Sequence, residues 1–249
     1  FELICLGYSK RNLLCLMPRR SRMYLPGFTY HIVQRGNNRA ACFFEAEDHL
    51  LYLQLMREVI PRYGAELHAY CLMTNHVHLL ISPEHEDSIS NIMKVVCSRY
   101  AQDINRKYGR TGTLWEGRHK ASAVDSDAYL LKCYRYIELN PVAARMVYRP
   151  EEYSWSSYHT NALGDENNVV CPHKVYLLLG EKREDRCYQY RELFKLSLSE
   201  QDNRAFKRAT HYSMPIGSNR FMEKMAMKMG RAGKELGYMS RGRPAGKGG

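Results

Sequence analysis

Apolar and polar residues alternate, or apolar residues run together, in four stretches that have the composition of β-strands. The two-residue turn Thr74-Asn75 separates the second stretch from the third and predicts an antiparallel hairpin. The predicted strands are residues 28–34, 65–73, 75–82 and the end of the glycine-punctuated segment 108–124.

Between these strands, apolar residues recur with the period of an α-helix. Leu51, Leu55 and Val59 lie four residues apart in the segment 45–62, and a second helix is predicted over residues 88–106. The order strand, helix, strand, strand, helix, strand predicts an α+β protein with a ferredoxin-like βαββαβ domain and an antiparallel sheet. The face of the second helix expected to be buried carries Ile89, Ile92, Met93, Val96, Tyr100 and Ile104.

The chain beyond the fourth strand is predicted to be helical. A third helix is expected from residue 128 to Asn140, where Pro141 ends it. The polar and aromatic segment 142–160 is expected to lie back over the core, and residues 161–168 are typical of a linker. Short helices are predicted at 173–180, 183–197, 199–208 and 217–229. We therefore divide the chain into an N-terminal extension (1–22), a main domain (23–160), a helical C-terminal accessory region (161–237) and a basic, disordered tail (238–249).

The third predicted strand carries two histidines on one face. Side chains on a strand alternate between faces, so His76 and His78 point one way while Val77 and Leu79 point into a core. Two adjacent imidazoles are a natural pair of metal ligands. Taken alone, the pair is better explained as two histidines on a half-exposed strand, and the metal interpretation needs partner ligands.

The third predicted helix offers such partners. Lys132, Tyr136 and Asn140 are spaced four residues apart and therefore share a helix face. A cation, a phenol and an amide would then point the same way. An interfacial tyrosine followed by an asparagine cap near the helix end explains the same spacing equally well.

Composition narrows the choice of partner. The formal net charge is +11, which favours a polyanion, meaning nucleic acid before an anionic membrane surface. None of the eight cysteines forms a CxxC pair, which is typical of reduced core residues in a cytosolic protein. No stretch approaches the roughly 20 apolar residues of a membrane span. Residues 1–16 precede Met17, a natural start, and are expected to be an upstream extension without the features of a signal peptide.

Five stretches together resemble the REP-associated tyrosine transposases of the IS200/IS605-like HUH single-tyrosine family. The resemblance is strong over residues 18–160 and loose elsewhere. It is carried by Tyr30 to Arg39, His68 to His78 with its His-x-His pair, Gly112 to Arg118, Tyr134 to Pro141 with Tyr136-x-x-x-Asn140, and Trp155 to Tyr158.

The resemblance implies a metal-dependent DNA strand cleavage and transfer enzyme. His76, His78 and Asn140 would hold Mg²⁺ or Mn²⁺, although other branches place Gln or Glu near the position of Asn140. Tyr136 would attack a scissile phosphate to give a 5′-phosphotyrosine and a free 3′-hydroxyl. The substrate would be single-stranded DNA with a REP-like palindromic hairpin, in a cytoplasmic, nucleoid-associated bacterial protein. The REP-associated branch implies a monomer, and a dimer that exchanges the tyrosine helix stays an alternative.

Basic, amide and aromatic residues around these motifs are the candidates for DNA contacts. Lys132 is the candidate cation for activating the phenol, and His31 and His68 are candidates for supporting the ligands. For each residue, a solvated or structural side chain is the competing explanation. The candidates are Arg35, Asn37, Asn38 and Arg39 for the hairpin or its guide sequence, and Arg110, Trp115, Arg118 and Lys120, with His119 beside them, for the cleaved strand.

Two non-catalytic functions compete with the transposase interpretation. One is an RRM-type nucleic-acid-binding protein, which would stack bases on aromatic residues of the sheet, but no RNP pattern occurs on the fourth strand. The other is a domesticated protein that binds hairpins as a regulator while retaining the same residues.

Overall fold

A computed structural model describes residues 24–125 and 129–228. Its centre is a four-stranded antiparallel sheet with the strand order β2-β3-β1-β4. Helices follow the first and third strands, which confirms the predicted ferredoxin-like βαββαβ arrangement. The strands are β1 (Thr29–Arg35), β2 (Ala65–Met73), β3 (His76–Pro83) and β4 (Lys120–Val124).

Two long helices pack on one face of the sheet. They are α1 (Ala46–Tyr63) and α2 (Ser88–Lys107). All six residues predicted for the inner face of α2 are buried there, against Val77, Leu79 and Ile81 of β3. Burial of this apolar surface is the main stabilising contribution to the domain.

The second strand departs from simple alternation. Its pairing with β3 shifts between Leu67 and Ala69, so His68 lies at an irregularity of the ladder. Leu67 therefore shares the core of α1 and α2 with Tyr70, whereas Ala69 and Cys71 belong to the core on the opposite face. The alternation of apolar residues along 65–73 predicts that Leu67, Ala69 and Cys71 share one face, and this is wrong because an inserted residue exchanges the two faces.

The other face of the sheet is covered by the C-terminal part of the chain. The helices after β4 are α3 (Leu130–Glu138), α4 (Asn140–Ala143), α5 (Lys174–Leu177), α6 (Arg183–Phe194), α7 (Glu200–Tyr212) and α8 (Asn219–Lys228). Of these, α3 packs on β2 and β3, and α7 packs on β4, β1 and α3.

The third helix ends two residues earlier than predicted. Pro141 has no N–H to donate to the carbonyl oxygen of Ile137, so the helical hydrogen-bond ladder stops and α4 begins at Asn140. The Asn140 side chain partly replaces the missing donor, because its Nδ2 donates to the carbonyl oxygens of Tyr136 (2.7 Å) and Ile137 (3.4 Å).

The segment predicted as a linker is anchored in the core by its first two residues, Asn161 and Ala162, whereas residues 163–168 are more exposed. Asn161 is buried and donates from Nδ2 to Oε1 of Glu138, a carboxyl that also accepts from Ser157 Oγ and Tyr190 Oη. Burial raises the pKa of Glu138 to about 7. Because this cluster joins α3 to α6, the C-terminal helices continue the core of the main domain.

The preceding segment, 142–160, lies over β2 as predicted. The amide of Leu72 donates to the carbonyl oxygen of Trp155 at 2.9 Å. The described cysteines are all free thiols, and no described helix is long and apolar enough to cross a membrane. The predicted N-terminal extension (1–22) and basic tail (238–249) lie outside the described residues.

Candidate active site

The polar face of the sheet brings the predicted ligands together. Across the β1–β3 ladder Arg35 pairs with His76 and Val33 with His78, and on the other side Val33 pairs with Lys120 of β4. Residues paired across neighbouring strands point to the same face. Strand alternation and register therefore place both histidines beside Arg35 and Lys120, opposite α1 and α2.

Tyr136 reaches this face from α3. Its ring lies edge-on to the rings of His78 (6.0 Å between centroids) and His31 (5.8 Å). The ring of Phe206 in α7 stacks on the Tyr136 ring, with 4.9 Å between centroids and an angle of 20° between planes. The tyrosine is thus held between the sheet and α7 at the wall of a cleft of about 560 Å³. The cleft is lined by Val33, Gln34, Arg35, Arg39, His76, His78, Glu116, Gly117, Arg118, Lys120, Tyr136, Asn140, Lys207, Thr210 and His211.

The two histidines have their Nδ1 atoms engaged. His76 Nδ1 lies 2.6 Å from Asn75 Oδ1, and Asn75 in turn donates from Nδ2 to the carbonyl oxygen of Arg39 at 3.0 Å. His78 Nδ1 lies 2.8 Å from His31 Nε2. The Nε2 of His78 is buried and has no hydrogen-bond partner among the residues that the structure describes. A buried polar atom without a partner is unfavourable unless a ligand uses it.

Burial keeps these imidazoles neutral. It lowers the pKa of His76 to about 4, with a further contribution from the charge of Arg35, and lowers that of His78 well below its usual range. Neutral imidazole is the form that binds metals. Burial raises the pKa of Tyr136 to about 12, and the charge of Arg35 opposes this shift. The charge of Arg35 thus favours the ionised form of the Tyr136 phenol.

The donor set fits a weakly held, hard cation. Among the residues that the structure describes, no cluster of three or more His, Cys, Asp and Glu side chains could hold a metal ion. The candidate ligands are the imidazoles of His76 and His78 and the amide oxygen of Asn140, since the Asn140 Nδ2 is used by helix carbonyls. The amide oxygen and the room for water suit Mg²⁺ or Mn²⁺, whereas the two imidazoles are donors that also suit softer cations. The partnerless Nε2 of His78 is the observation that favours a ligand here.

Four predicted DNA contacts line the cleft with these residues. They are Arg35, Arg39, Arg118 and Lys120, and Glu116 is the acidic residue among the lining side chains. Lys120 also donates from Nζ to the carbonyl oxygen of His211 at 2.9 Å, which links β4 to the end of α7. The cleft is therefore cationic along one side of the candidate ligands.

Other predicted contacts lie away from the cleft. Trp115 is 8 % exposed, packs near Tyr100 and donates from Nε1 to the carbonyl oxygen of Cys97. The buried ring of Trp115 offers no face on which a DNA base could stack. Arg110 lies over the ring of Phe44, and its Nε is buried.

Lys132 and the two loop asparagines also lie elsewhere. Lys132 pairs with Asp202 at 3.0 Å, so it is not placed to activate Tyr136. Asn37 and Asn38 form the exposed turn before Arg39, in which Asn38 has a φ of 56°. His119 is buried and contacts the hydroxyl of Tyr24. The positions of these side chains depend on tertiary packing, which no single sequence motif predicts.

The supporting histidines have different environments. His31 contacts His78 directly, as a supporting group would, and it also lies 3.3 Å from the Oγ1 of Thr210. His68 contacts Ser82 and the carbonyl oxygen of Cys171, so it is structural.

Helix α7 supplies site residues that the sequence did not reveal. Phe206, Lys207, Thr210 and His211 contact Tyr136 or line the cleft. The pattern of α7 indicates an amphipathic helix with Phe206 and Ala209 inside. Such a pattern says that one face is buried but does not identify the surface that covers it.

Known proteins resemble the part of the chain that carries His76, His78 and Tyr136. Residues 25–140 match the sequence profile of the family described as "Transposase IS200 like". This range runs from just before β1 to Asn140 and includes both histidines and Tyr136. We call residues 25–140, the range that matches this profile, the IS200-like transposase domain.

Two individual proteins resemble the chain around this domain. A Haemophilus influenzae protein named as a REP-associated tyrosine transposase is 24% identical over 113 residues, which are 41% of this chain and 64% of that protein. The solved structure of a REP-associated tyrosine transposase bound to a REP hairpin has a TM-score of 0.51 and 18% identity, and the match covers 63% of this chain and 93% of that chain. The fold is therefore shared with that transposase. Helices α5 to α8 follow the IS200-like transposase domain.

Proposed function

We propose that this protein cleaves and rejoins single-stranded DNA next to a hairpin, through a 5′-phosphotyrosine on Tyr136. The observation that carries the proposal is the position of Tyr136 beside the neutral pair His76 and His78 in a cationic cleft. The IS200-like transposase domain and the fold shared with a hairpin-bound transposase support it.

The covalent step uses the phenol as the nucleophile. A bond forms between Tyr136 Oη and phosphorus, the bond from phosphorus to the 3′-oxygen breaks, and the phenol proton ends on that oxygen as a 3′-hydroxyl. Attack by a 3′-hydroxyl on the phosphotyrosine reverses these changes and rejoins DNA. Because the covalent intermediate retains the bond energy, neither step requires ATP.

The surrounding side chains prepare the phenol for this attack. With a pKa of about 12, Tyr136 is protonated at neutral pH, and the charge of Arg35 favours the phenolate that develops during the attack. Phe206 restrains the ring from one side while His31 and His78 contact it from the other. This restraint limits the orientations of the nucleophile before the substrate binds.

His76, His78 and Asn140 would hold a divalent cation beside the scissile phosphate. When bound, Mg²⁺ or Mn²⁺ would neutralise charge on the phosphate and polarise phosphorus. Asn75 and His31 hold the two imidazoles in place by hydrogen bonds to their Nδ1 atoms.

Cations along the cleft hold the DNA backbone. Arg35, Arg39, Arg118 and Lys120 are joined by Lys207 of α7, which is exposed at the cleft and has no ion pair within the described residues. Each cation that neutralises a phosphate increases affinity in a salt-dependent way and without base specificity. Contacts to a hairpin are proposed by analogy with the hairpin-bound relative, and contacts to a guide sequence stay a prediction. The monomeric state stays a prediction.

An RRM-type function has no support in this arrangement. RRM domains stack bases on an open sheet face. Here the corresponding face carries His31, His76 and His78, and α3 and α7 cover much of it.

The proposal is tested by looking for the covalent intermediate. Labelled single-stranded hairpin DNA is incubated with the protein and Mg²⁺ or Mn²⁺, and SDS-resistant adducts are counted. We expect an adduct with wild type and with the control Tyr129→Phe, which changes a tyrosine on the same segment outside the cleft, and none with Tyr136→Phe. An adduct that persists in Tyr136→Phe contradicts the assignment of Tyr136 as the nucleophile. Binding of the hairpin by wild type without any adduct supports the alternative function, a regulator that binds hairpins without cleaving them.

A further inference from the structure

We propose that Asn75 is a positioning residue that connects the turn carrying Arg39 to the metal site. One end of its side-chain amide holds the turn, and the other end sets the tautomer of His76 whose Nε2 can bind a cation. The inference rests on the metal site and the cationic cleft of the proposed function. It gives a role to a side chain that is not among the residues lining the cleft.

The turn after β1, residues 36–39, has a backbone conformation that needs support. Asn38 and Arg39 have left-handed φ angles of 56° and 59°, which are unfavourable for residues other than glycine. The Arg39 carbonyl oxygen accepts from Asn75 Nδ2 at 3.0 Å, and the Asn75 carbonyl oxygen accepts from the amide of Gly36 at 2.8 Å. Asn75 therefore contacts both ends of the turn and helps to hold Arg39 at the cleft.

A backbone carbonyl fixes the orientation of the Asn75 amide. A carbonyl oxygen can only accept a hydrogen bond, so the amide atom that contacts the Arg39 oxygen is the donor Nδ2. The opposite orientation would bring two oxygens together with no proton between them. The amide atom 2.6 Å from His76 Nδ1 is therefore Oδ1, which has no proton to donate.

The position of the proton on His76 follows from this orientation. A neutral imidazole carries one N–H and one lone pair. Because Asn75 Oδ1 can only accept, His76 donates from Nδ1 and keeps its lone pair on Nε2. The imidazole lines the cleft, so the nitrogen that Asn75 leaves unused is the one that can bind a cation there.

The two contacts of one amide make the turn and the ligand interdependent. If the turn moves away, the amide is free to rotate, and its Nδ2 can then donate to His76 Nδ1. The His76 proton would in that case lie on Nε2, where it blocks the cation. DNA that binds Arg39 in the observed turn therefore favours the ligating tautomer, and by reciprocity a bound cation favours the turn.

The tautomer can be measured without metal or DNA. In ¹⁵N-labelled, metal-free protein at mildly alkaline pH, long-range ¹⁵N–¹H correlations distinguish protonated from unprotonated ring nitrogens. We expect Nδ1–H on His76 in wild type and in Asn75→Asp, whose carboxylate still accepts, and a shift toward Nε2–H in Asn75→Ala. The control Asn105→Ala, which removes a similar contact to the carbonyl oxygen of Gly112, should have no effect. A wild-type His76 protonated on Nε2, or an unchanged tautomer in Asn75→Ala, overturns the inference.

The connection to DNA is tested by combining two substitutions. Hairpin DNA binding is followed by fluorescence anisotropy in the presence of EDTA, so that no metal contributes. Asn75→Ala and Arg39→Ala should each reduce the slope of log affinity against log salt by about 0.7, the value for one phosphate contact on single-stranded DNA. The double variant should lose no more than Arg39→Ala alone, because Asn75 acts on DNA through Arg39. Additive losses contradict the connection.

Metal affinity separates this inference from the proposed nucleophile. Mn²⁺ binding without DNA, followed by electron paramagnetic resonance, is expected to weaken about 10- to 100-fold in Asn75→Ala, the range for the loss of a group that orients a ligand. Asn75→Asp is expected to retain the affinity of wild type. Equal Mn²⁺ affinity in wild type and Asn75→Ala contradicts the role of Asn75. If wild type binds no Mn²⁺, both the metal site and this inference fail, whereas loss of the Tyr136 adduct alone affects only the proposed nucleophile.

Discussion

The two faces of β3 have different roles: one stabilises the fold, and the other carries the candidate active site. Val77 and Leu79 point to the apolar face, where α1 and α2 bury them, and His76 and His78 point to the polar face beneath α3 and α7. The apolar face contributes burial energy, which is proportional to the area removed from water. The polar face instead retains a His78 Nε2 that lacks a hydrogen-bond partner within the described part of the chain, and the buried Tyr136. Such unfavourable groups persist where a function uses them and the surrounding packing compensates.

The largest effect is expected from the histidines of the polar face. His76→Gln and His78→Gln should each reduce the adduct rate about 100-fold or more, since metal stabilisation of the transition state amounts to several kcal/mol. A chelator should do the same to wild type. Hairpin binding, measured by fluorescence anisotropy, should change little. If either variant forms the adduct at the wild-type rate, the substituted histidine is not part of the active site.

Substitution of Leu79, the residue next to His78, should lower the stability of the protein but leave adduct formation unchanged. Leu79 is 1 % exposed in the core of α1 and α2, so Leu79→Ala should lower the free energy of unfolding by about 2–5 kcal/mol. Urea denaturation measures this change. The adduct yield per folded molecule should stay near wild type at low temperature, and a selective loss of activity would show that the two faces are not separable.

Acidification should lower the free energy of unfolding through the buried histidines on the polar face of the sheet. Burial lowers the pKa of His31 to about 3 and those of His68 and His173 to about 4, against 6.5 for an exposed histidine. Below pH 6.5 the unfolded chain therefore binds more protons than the folded one, and stability is lost as the pH falls toward 4. Each such histidine contributes up to about 1.4 kcal/mol per pH unit.

His68 isolates one of these contributions away from the candidate ligands. His68→Asn keeps a donor for the carbonyl oxygen of Cys171 but cannot take up a proton. Urea denaturation at pH 6.5 and 5 should show a smaller loss of stability in this variant than in wild type. An equal loss in both proteins would assign the acid sensitivity to other groups.

The smallest effect is expected from α7. Lys207→Ala should reduce the slope of log affinity against log salt by about 0.7, the value for one phosphate contact on single-stranded DNA. Arg204→Ala, on the same helix and outside the cleft, provides the control. If the two variants have equal slopes of log affinity against log salt, Lys207 makes no direct contact with a DNA phosphate.

The sequence predicts those parts of the site that depend on local geometry. Strand alternation places His76 and His78 on one face, and the spacing of Tyr136 and Asn140 brings both to the cleft. Contacts between distant elements follow no local pattern. The docking of α7 on Tyr136, the pairing of Lys132 with Asp202 and the burial of Trp115 depend on which apolar surfaces meet, and periodicity does not encode that choice.

The most direct test maps the DNA attachment site. The adduct is trimmed with nuclease, digested with trypsin and sequenced by tandem mass spectrometry. Cleavage after Arg135 separates Tyr134, in the peptide 133–135, from Tyr136, the single tyrosine of the peptide 136–145. We predict a nucleotide 5′-phosphate on Tyr136 in the peptide 136–145. Attachment to Tyr134 or to any other residue would contradict the proposed active site.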